Sequence, residues 1–195
     1  LTMRGDRRRN RPAFAPDGRL FFTERLAGRI RVSVGGRLLP EPVAVVDVVP
    51  GPETGLLGLA LHPEFPRVPY LYVYYTYASE GSGLLNRVVR LTEANGKATS
   101  PVTLLDGIPG ANIHDGGRIK FGPDGKLYVT TGDAANTSHS QDSGSLSGKV
   151  LRISRDGSIP ADNPFPGSPV YSYGHRNPQG LAWHPVTGKL FSTEH

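Results

Sequence analysis

Cysteine is absent from the 195 residues, which excludes disulfides and thiolate metal sites. That absence leaves the compartment open, since a bacterial periplasmic protein does without cysteine as readily as a cytosolic one. No apolar run is long enough to cross a bilayer, so no membrane span is expected. Sustained 3.6-residue apolar periodicity is also missing, and 25 glycines and 18 prolines interrupt the chain too often for long helices. Few helices are therefore expected. Nor is the net charge of +5 spread along the chain: Arg4, Arg7, Arg8, Arg9 and Arg11 against Asp6 hold four of the five excess charges. Residues 1–12 read as a solvated basic arm, and without a basic stripe interleaved with aromatics elsewhere no nucleic-acid partner is expected. Neither an initiator Met nor a signal-like apolar core stands at Leu1, so the start reads as processed or cut.

What the chain does have is a repeated phrase: an apolar strand start, a proline-containing turn, then another strand. It reads Phe14-Ala-Pro-Asp-Gly-Arg-Leu-Phe-Phe-Thr, then Leu61-His-Pro-Glu-Phe running into Tyr70-Leu-Tyr-Val-Tyr-Tyr. It returns as Phe121-Gly-Pro-Asp-Gly-Lys-Leu-Tyr-Val-Thr and as Trp183-His-Pro-Val-Thr-Gly-Lys-Leu-Phe-Ser. The turn prolines Pro16, Pro63, Pro123 and Pro185 stand 47, 60 and 62 residues apart, a spacing that fits one four-stranded propeller blade with loop insertions. Proline presets φ at the first turn position, Asp hydrogen-bonds the backbone further on, and Gly accepts positive φ. After each of the first three hairpins comes a strand in which basic and apolar residues alternate: Gly28-Arg-Ile-Arg-Val, Asn86-Arg-Val-Val-Arg-Leu and Gly148-Lys-Val-Leu-Arg-Ile. Such alternation predicts half-buried antiparallel strands. Residues 13–195 thus read as one all-β unit of three blades and the opening of a fourth, about half of a larger propeller.

Three loops stand at corresponding places, each just before the first strand of a blade. One is Gly51-Pro-Glu-Thr-Gly-Leu-Leu-Gly58, containing Glu53. The second carries His114, with Asp133 just after the next strand, so that one hairpin returns both to the same rim. A histidine near its normal pKa accepts a proton at neutral pH, and a neighbouring carboxylate favours the imidazolium formed. The third carries Arg176 and Asn177, a guanidinium beside an amide that suits a planar, multiply oxygenated anion. Taken alone, each is only a turn, and His114 a loop histidine held by turn hydrogen bonds. His62 and His184 occupy equivalent turn positions and read as hairpin caps. His139 falls in a Ser-rich loop, and Asp142 and Asp162 read as turn residues, since no dense acidic loop of the kind calcium prefers is visible.

Together, His114-Asp-Gly-Gly-Arg, Tyr128-Val-Thr-Thr-Gly-Asp, Gly148-Lys-Val-Leu-Arg-Ile, Asp156-Gly-Ser-Ile-Pro-Ala-Asp-Asn-Pro-Phe and Tyr173-Gly-His-Arg-Asn-Pro-Gln-Gly-Leu resemble the soluble quinoprotein glucose/sorbosone dehydrogenase family. The resemblance runs from about Phe14 to the end and implies a six-bladed β-propeller. It implies pyrroloquinoline quinone (PQQ) and calcium as cofactors, an aldose as substrate, a dye or respiratory electron acceptor, and a periplasmic or secreted parent protein. By the same resemblance His114 is the general base, Asp133 its supporting carboxylate, and Arg176 and Asn177 cofactor contacts, the arginine stabilising charge on the reacting oxygen. Glu53 is the remaining cofactor-binding candidate by the same resemblance, though it departs from the family, whose members often have Gln there, by placing a negative charge near an anionic cofactor. The calcium ligands are expected beyond His195, so this chain alone is expected to be inactive. A calcium-dependent propeller lactonase and a non-catalytic extracellular binding propeller are the alternatives.

Overall fold

The computed structural model describes residues 12–195. The basic arm expected over residues 1–12 lies outside it, apart from Pro12, which opens the first strand. Four antiparallel sheets follow one another along the chain. The first contains β1 (Pro12–Phe14), β2 (Leu20–Glu24), β3 (Arg29–Val34) and β4 (Arg37–Leu38) in that order, with β5 (Ala44–Val45) also paired to β3. The second is the meander β6 (Leu56–Leu61), β7 (Tyr70–Ser79), β8 (Gly83–Ala94) and β9 (Lys97–Pro109). The third is β10 (Ile119–Phe121), β11 (Leu127–Thr131), β12 (Lys149–Ile153) and β13 (Val170–Tyr173), and the fourth pairs β14 (Pro178–Trp183) with β15 (Leu190–Glu194). Helix among the described residues is confined to α1 (Ser138–Gln141).

The repeated turn closes the first hairpin of every sheet. Gly18 N–H donates to Ala15 O at 3.0 Å and Arg19 N–H to Asp17 Oδ1 at 3.1 Å. In the third sheet, Gly125 N–H donates to Gly122 O and Lys126 N–H to Asp124 Oδ1 in the same pattern. In the other two turns an imidazole takes the place of the aspartate. His62 Nδ1 accepts from Glu64 N–H, and His184 Nδ1 accepts from Val186 and Thr187 N–H. Because strands alternate in direction, all four turns lie at one end of the sheets. The connections between sheets, residues 46–55, 110–118 and 174–177, lie at the other.

The core is a series of interfaces. Phe21, Ile30 and Val32 of the first sheet pack on Leu56, Leu59, Leu71 and Val73 of the second. Leu57, Ala60, Tyr72, Tyr74 and Val88 point the other way, onto Ile119, Leu127, Val129, Leu151 and Ile153 of the third. Tyr128 and Val150 then meet Leu181, Trp183 and Leu190 of the fourth. A strand in such a stack is covered on both faces, which alters one expectation. β12 does not alternate between core and solvent: Lys149 and Arg152 are as buried as Val150 and Leu151. Lys149 Nζ donates to the carbonyls of His139, Ser140 and Ser147, and Arg152 pairs with Asp124 and Asp162 while donating to Asn163 Oδ1. The buried charges are thus matched by acceptors, as they must be away from water. β1, β6, β10 and β14, the first strands of the four sheets, line a common cavity of about 540 Å³.

Leu151 is fully buried between the second and third sheets, whereas Val102 on β9 is 41% exposed. Leu151→Ala is expected to destabilise by about 2–5 kcal/mol and Val102→Ala by roughly 0.5 kcal/mol or less, read from urea denaturation midpoints.

Candidate functional site

The three inter-sheet connections converge at one rim, and a single carboxylate joins them. Glu53, from the connection into β6, accepts the His114 backbone N–H at 2.8 Å and the Asn177 Nδ2–H at 3.2 Å, both through Oε2. Its own N–H donates to Asn112 O. The loop carrying Glu53 is braced from below by buried Arg25, whose guanidinium donates to Gly51 O and Thr54 O.

His114 adopts φ of +62°, unusual for a residue with a side chain. Ala134 and Ala135, just past Asp133, also have positive φ, at +53° and +60°. Strain of this kind costs roughly 1–3 kcal/mol per residue and persists only where the surroundings fix it. They do so here. Glu53 holds the His114 N–H, and the His114 carbonyl lies against the Cα of Gly132, where no Cβ could fit. Gly116 is also closely packed, a Cβ there falling 2.6 Å from Thr130 O and 2.8 Å from Thr131 Cα. The result is a contact of 2.8 Å between His114 Nδ1 and Asp133 Oδ1, with the imidazole side chain 12% exposed and the carboxylate 2% exposed. Asp133 also accepts the Ala135 N–H, and its own N–H donates to Arg176 O. With the Asp133 oxygen as the acceptor of this bond, the imidazole carries its proton on Nδ1 and leaves Nε2 for a ligand or substrate.

Asn177 is fully buried. Its Oδ1 accepts from Gly116 N–H and Gln179 Nε2–H, so its amide ties the third loop to the second and to Glu53. Arg176 is exposed, and its Nη1 donates to the His195 carbonyl at 2.8 Å. The five residues singled out from sequence, Glu53, His114, Asp133, Arg176 and Asn177, thus form one connected patch on one rim. His62 and His184 sit at the far end in their turns. His139 lies in α1, hydrogen-bonded to Asn136, while Asp142 caps Gly144 N–H and Asp162 pairs with Arg152. No group of three or more His, Cys, Asp or Glu among the described residues is arranged to hold a metal ion.

Matched to a family model described as Glucose / Sorbosone dehydrogenase, residues 10–195 account for nearly the whole chain. The chain belongs to that family. It is 37% identical to quinoprotein glucose dehydrogenase B of Acinetobacter calcoaceticus over 93% of its own length and 44% of that protein's. Among solved structures it is similar to an oxidoreductase (glucose dehydrogenase) of Thermus thermophilus, with 52% identity, a TM-score of 0.87, and coverage of 94% of this chain and 57% of that one. It is also similar to the PQQ-bound aldose sugar dehydrogenase of Streptomyces coelicolor, with 43% identity, a TM-score of 0.85, and coverage of 94% and 55%. The chain therefore spans about half the length of these relatives. No helix among the described residues is long and apolar enough to cross a membrane.

Sequence reasoning passed over Glu194. Its carboxylate accepts from the Arg176 N–H, from the Asn177 N–H at 3.3 Å and from His175 Nδ1 at 3.0 Å, closing the third loop onto β15. Burial raises its pKa, but the bonds from His175 and the Arg176 N–H outweigh this and hold it below the ordinary 4.5. A lowered folded-state value means that the stability it contributes is present above the unfolded pKa and lost as pH falls through the folded one. Glu194→Ala is expected to cost about 1–2 kcal/mol at neutral pH, the low end for charge-assisted bonds because the side chain is one third exposed. Glu194→Gln should cost less, the deficit of both variants should vanish at acid pH, and amide exchange at Arg176 and Asn177 should quicken in the alanine variant.

Proposed function

We propose that the protein containing this chain is a PQQ- and calcium-dependent dehydrogenase that oxidises the anomeric carbon of an aldose to the lactone and passes the electrons to a dye or respiratory acceptor. The observation that carries the reading is the 2.8 Å contact of His114 with buried Asp133 on the rim that also bears Arg176. Family membership and the names of the relatives support it. In this reading the chain supplies about half of a six-bladed propeller, and exposed Phe191 on β15, at 58%, belongs to a face that the next blade covers.

The donor set suits an anionic quinone. Among the described residues, Asp133 and Glu194 accept from donors of the loops themselves, and the Oε2 of Glu53 is committed to His114 and Asn177. Arg176, whose Nη1 donates to the His195 carbonyl, presents an exposed guanidinium able to grip a carboxylate or a charged oxygen. When bound, PQQ supplies the two-electron acceptor that takes the hydride. His114 Nε2 removes the proton from the anomeric hydroxyl, and Asp133 stabilises the imidazolium that results. Arg176 stabilises negative charge developing opposite the substrate. Asn177 and Glu53 hold the two loops in register behind these groups.

The full-length protein, reconstituted with PQQ and calcium, should reduce a dye in the presence of an aldose. His114→Ala should lower kcat by on the order of 10²–10⁴-fold while PQQ absorbance titrations show the cofactor still bound. Silence with every aldose tested, together with no PQQ binding, overturns the reading. Hydrolysis of a lactone without any quinone would favour a lactonase instead.

A further inference from the structure

The turn that carries His114 also carries a carboxyl group with no part in the chemistry above. Asp115 is 1% exposed. Its Oδ1 accepts from Asn86 Nδ2–H at 2.8 Å and from Ala111 N–H at 3.1 Å, and its backbone carbonyl accepts the Tyr74 hydroxyl at 3.0 Å. Its Oδ2 is buried and has no hydrogen-bond partner among the described residues. Asn86 is itself fixed, since its Oδ1 accepts the Thr76 hydroxyl at 2.6 Å. Tyr74 and Thr76 lie on β7 and Asn86 on β8, and all three are fully buried. A Cβ at Gly110 would come within 3.0 Å of Asp115 Oδ1 and 2.8 Å of Asn86 Nδ2, so the chain passes directly over this contact.

We propose that Asp115 is a positioning residue for His114, a carboxyl clamp that fastens the imidazole-bearing turn to the second sheet from behind. The strained φ of His114 needs restraint on both sides. Glu53 supplies it from the rim, and Asp115 supplies it from the interior.

The chemistry of the clamp makes it sensitive to pH. Among the described residues, the charged and titratable groups that face the carboxyl are Glu53, which opposes its ionisation, His114, which favours it, and the Tyr74 hydroxyl, kept neutral by burial. Burial pushes Asp115 up to about 7, against the pull of the Asn86 and Ala111 bonds. Since this folded-state value is raised above the ordinary 3.8, the stability Asp115 contributes is whole below 3.8 and is lost as pH rises through about 7. A neutral carboxyl sits in this site readily, whereas a carboxylate with one bare oxygen strains it.

The inference rests on the role proposed for His114, but its test needs no cofactor. In the full-length protein without PQQ, the Asp115 carboxyl carbon and the His114 ring resonances are followed by NMR from acid to alkaline pH. The carboxyl is expected to titrate near neutrality, and the His114 ring and the amides of residues 111–117 to show the same inflection. Asp115→Asn keeps an acceptor for Asn86 and Ala111 and should abolish that inflection with the turn still protected. Asp115→Ala should speed exchange of those amides by about tenfold or more. Ring resonances and exchange rates unchanged in a folded Asp115→Ala variant would overturn the proposal. Should that variant not fold, an inflection persisting in Asp115→Asn would overturn it equally. A wild type that shows the inflection but reduces no dye would retain the clamp and refute the dehydrogenase instead.

Discussion

The carboxylate of Glu53 holds the rim together. It sits in the first inter-sheet connection and reaches the second and third, 61 and 124 residues away, through one oxygen. Loops are ordinarily the part of a protein with the most freedom. Here three of them are made into one surface because a single acceptor satisfies a backbone N–H in one and a side-chain amide in another. The His114 imidazole can then be held in a conformation that its own backbone disfavours, with Gly132 leaving the room that its carbonyl requires.

That surface depends in turn on the stacking of the sheets. Each sheet uses its neighbours as its core, with Leu57 and Leu59 of β6 contributing to opposite interfaces. Burial on both faces explains why β12 can carry Lys149 and Arg152 inside, each surrounded by acceptors. It also fixes the sheets closely enough that loops from different ones meet within hydrogen-bonding distance.

Much of this was readable in the residues. The proline turns marked the first hairpin of each sheet, and His114 and Asp133 were placed together because one hairpin joins them. What could not be read were contacts between sheets. Asp115 and Glu194 look like ordinary turn and strand-end residues until the loops converge, and Arg25 gives no sign that it braces Gly51 and Thr54. The positive φ of Ala134 and Ala135 has no local signature either, since nothing in an alanine announces it. The burial of Lys149 escaped the alternation rule because that rule assumes one wet face.

The two ends of the sheets carry different obligations. The proline turns at one end repeat a common bonding scheme, with aspartate and imidazole interchangeable as acceptors. The opposite end holds loops of unequal length that share a scaffold but little pattern. New ligand preferences can therefore arise by changing the variable end, as in an antibody whose framework stays constant while its contact loops diversify, without disturbing the apolar layers that keep the molecule folded.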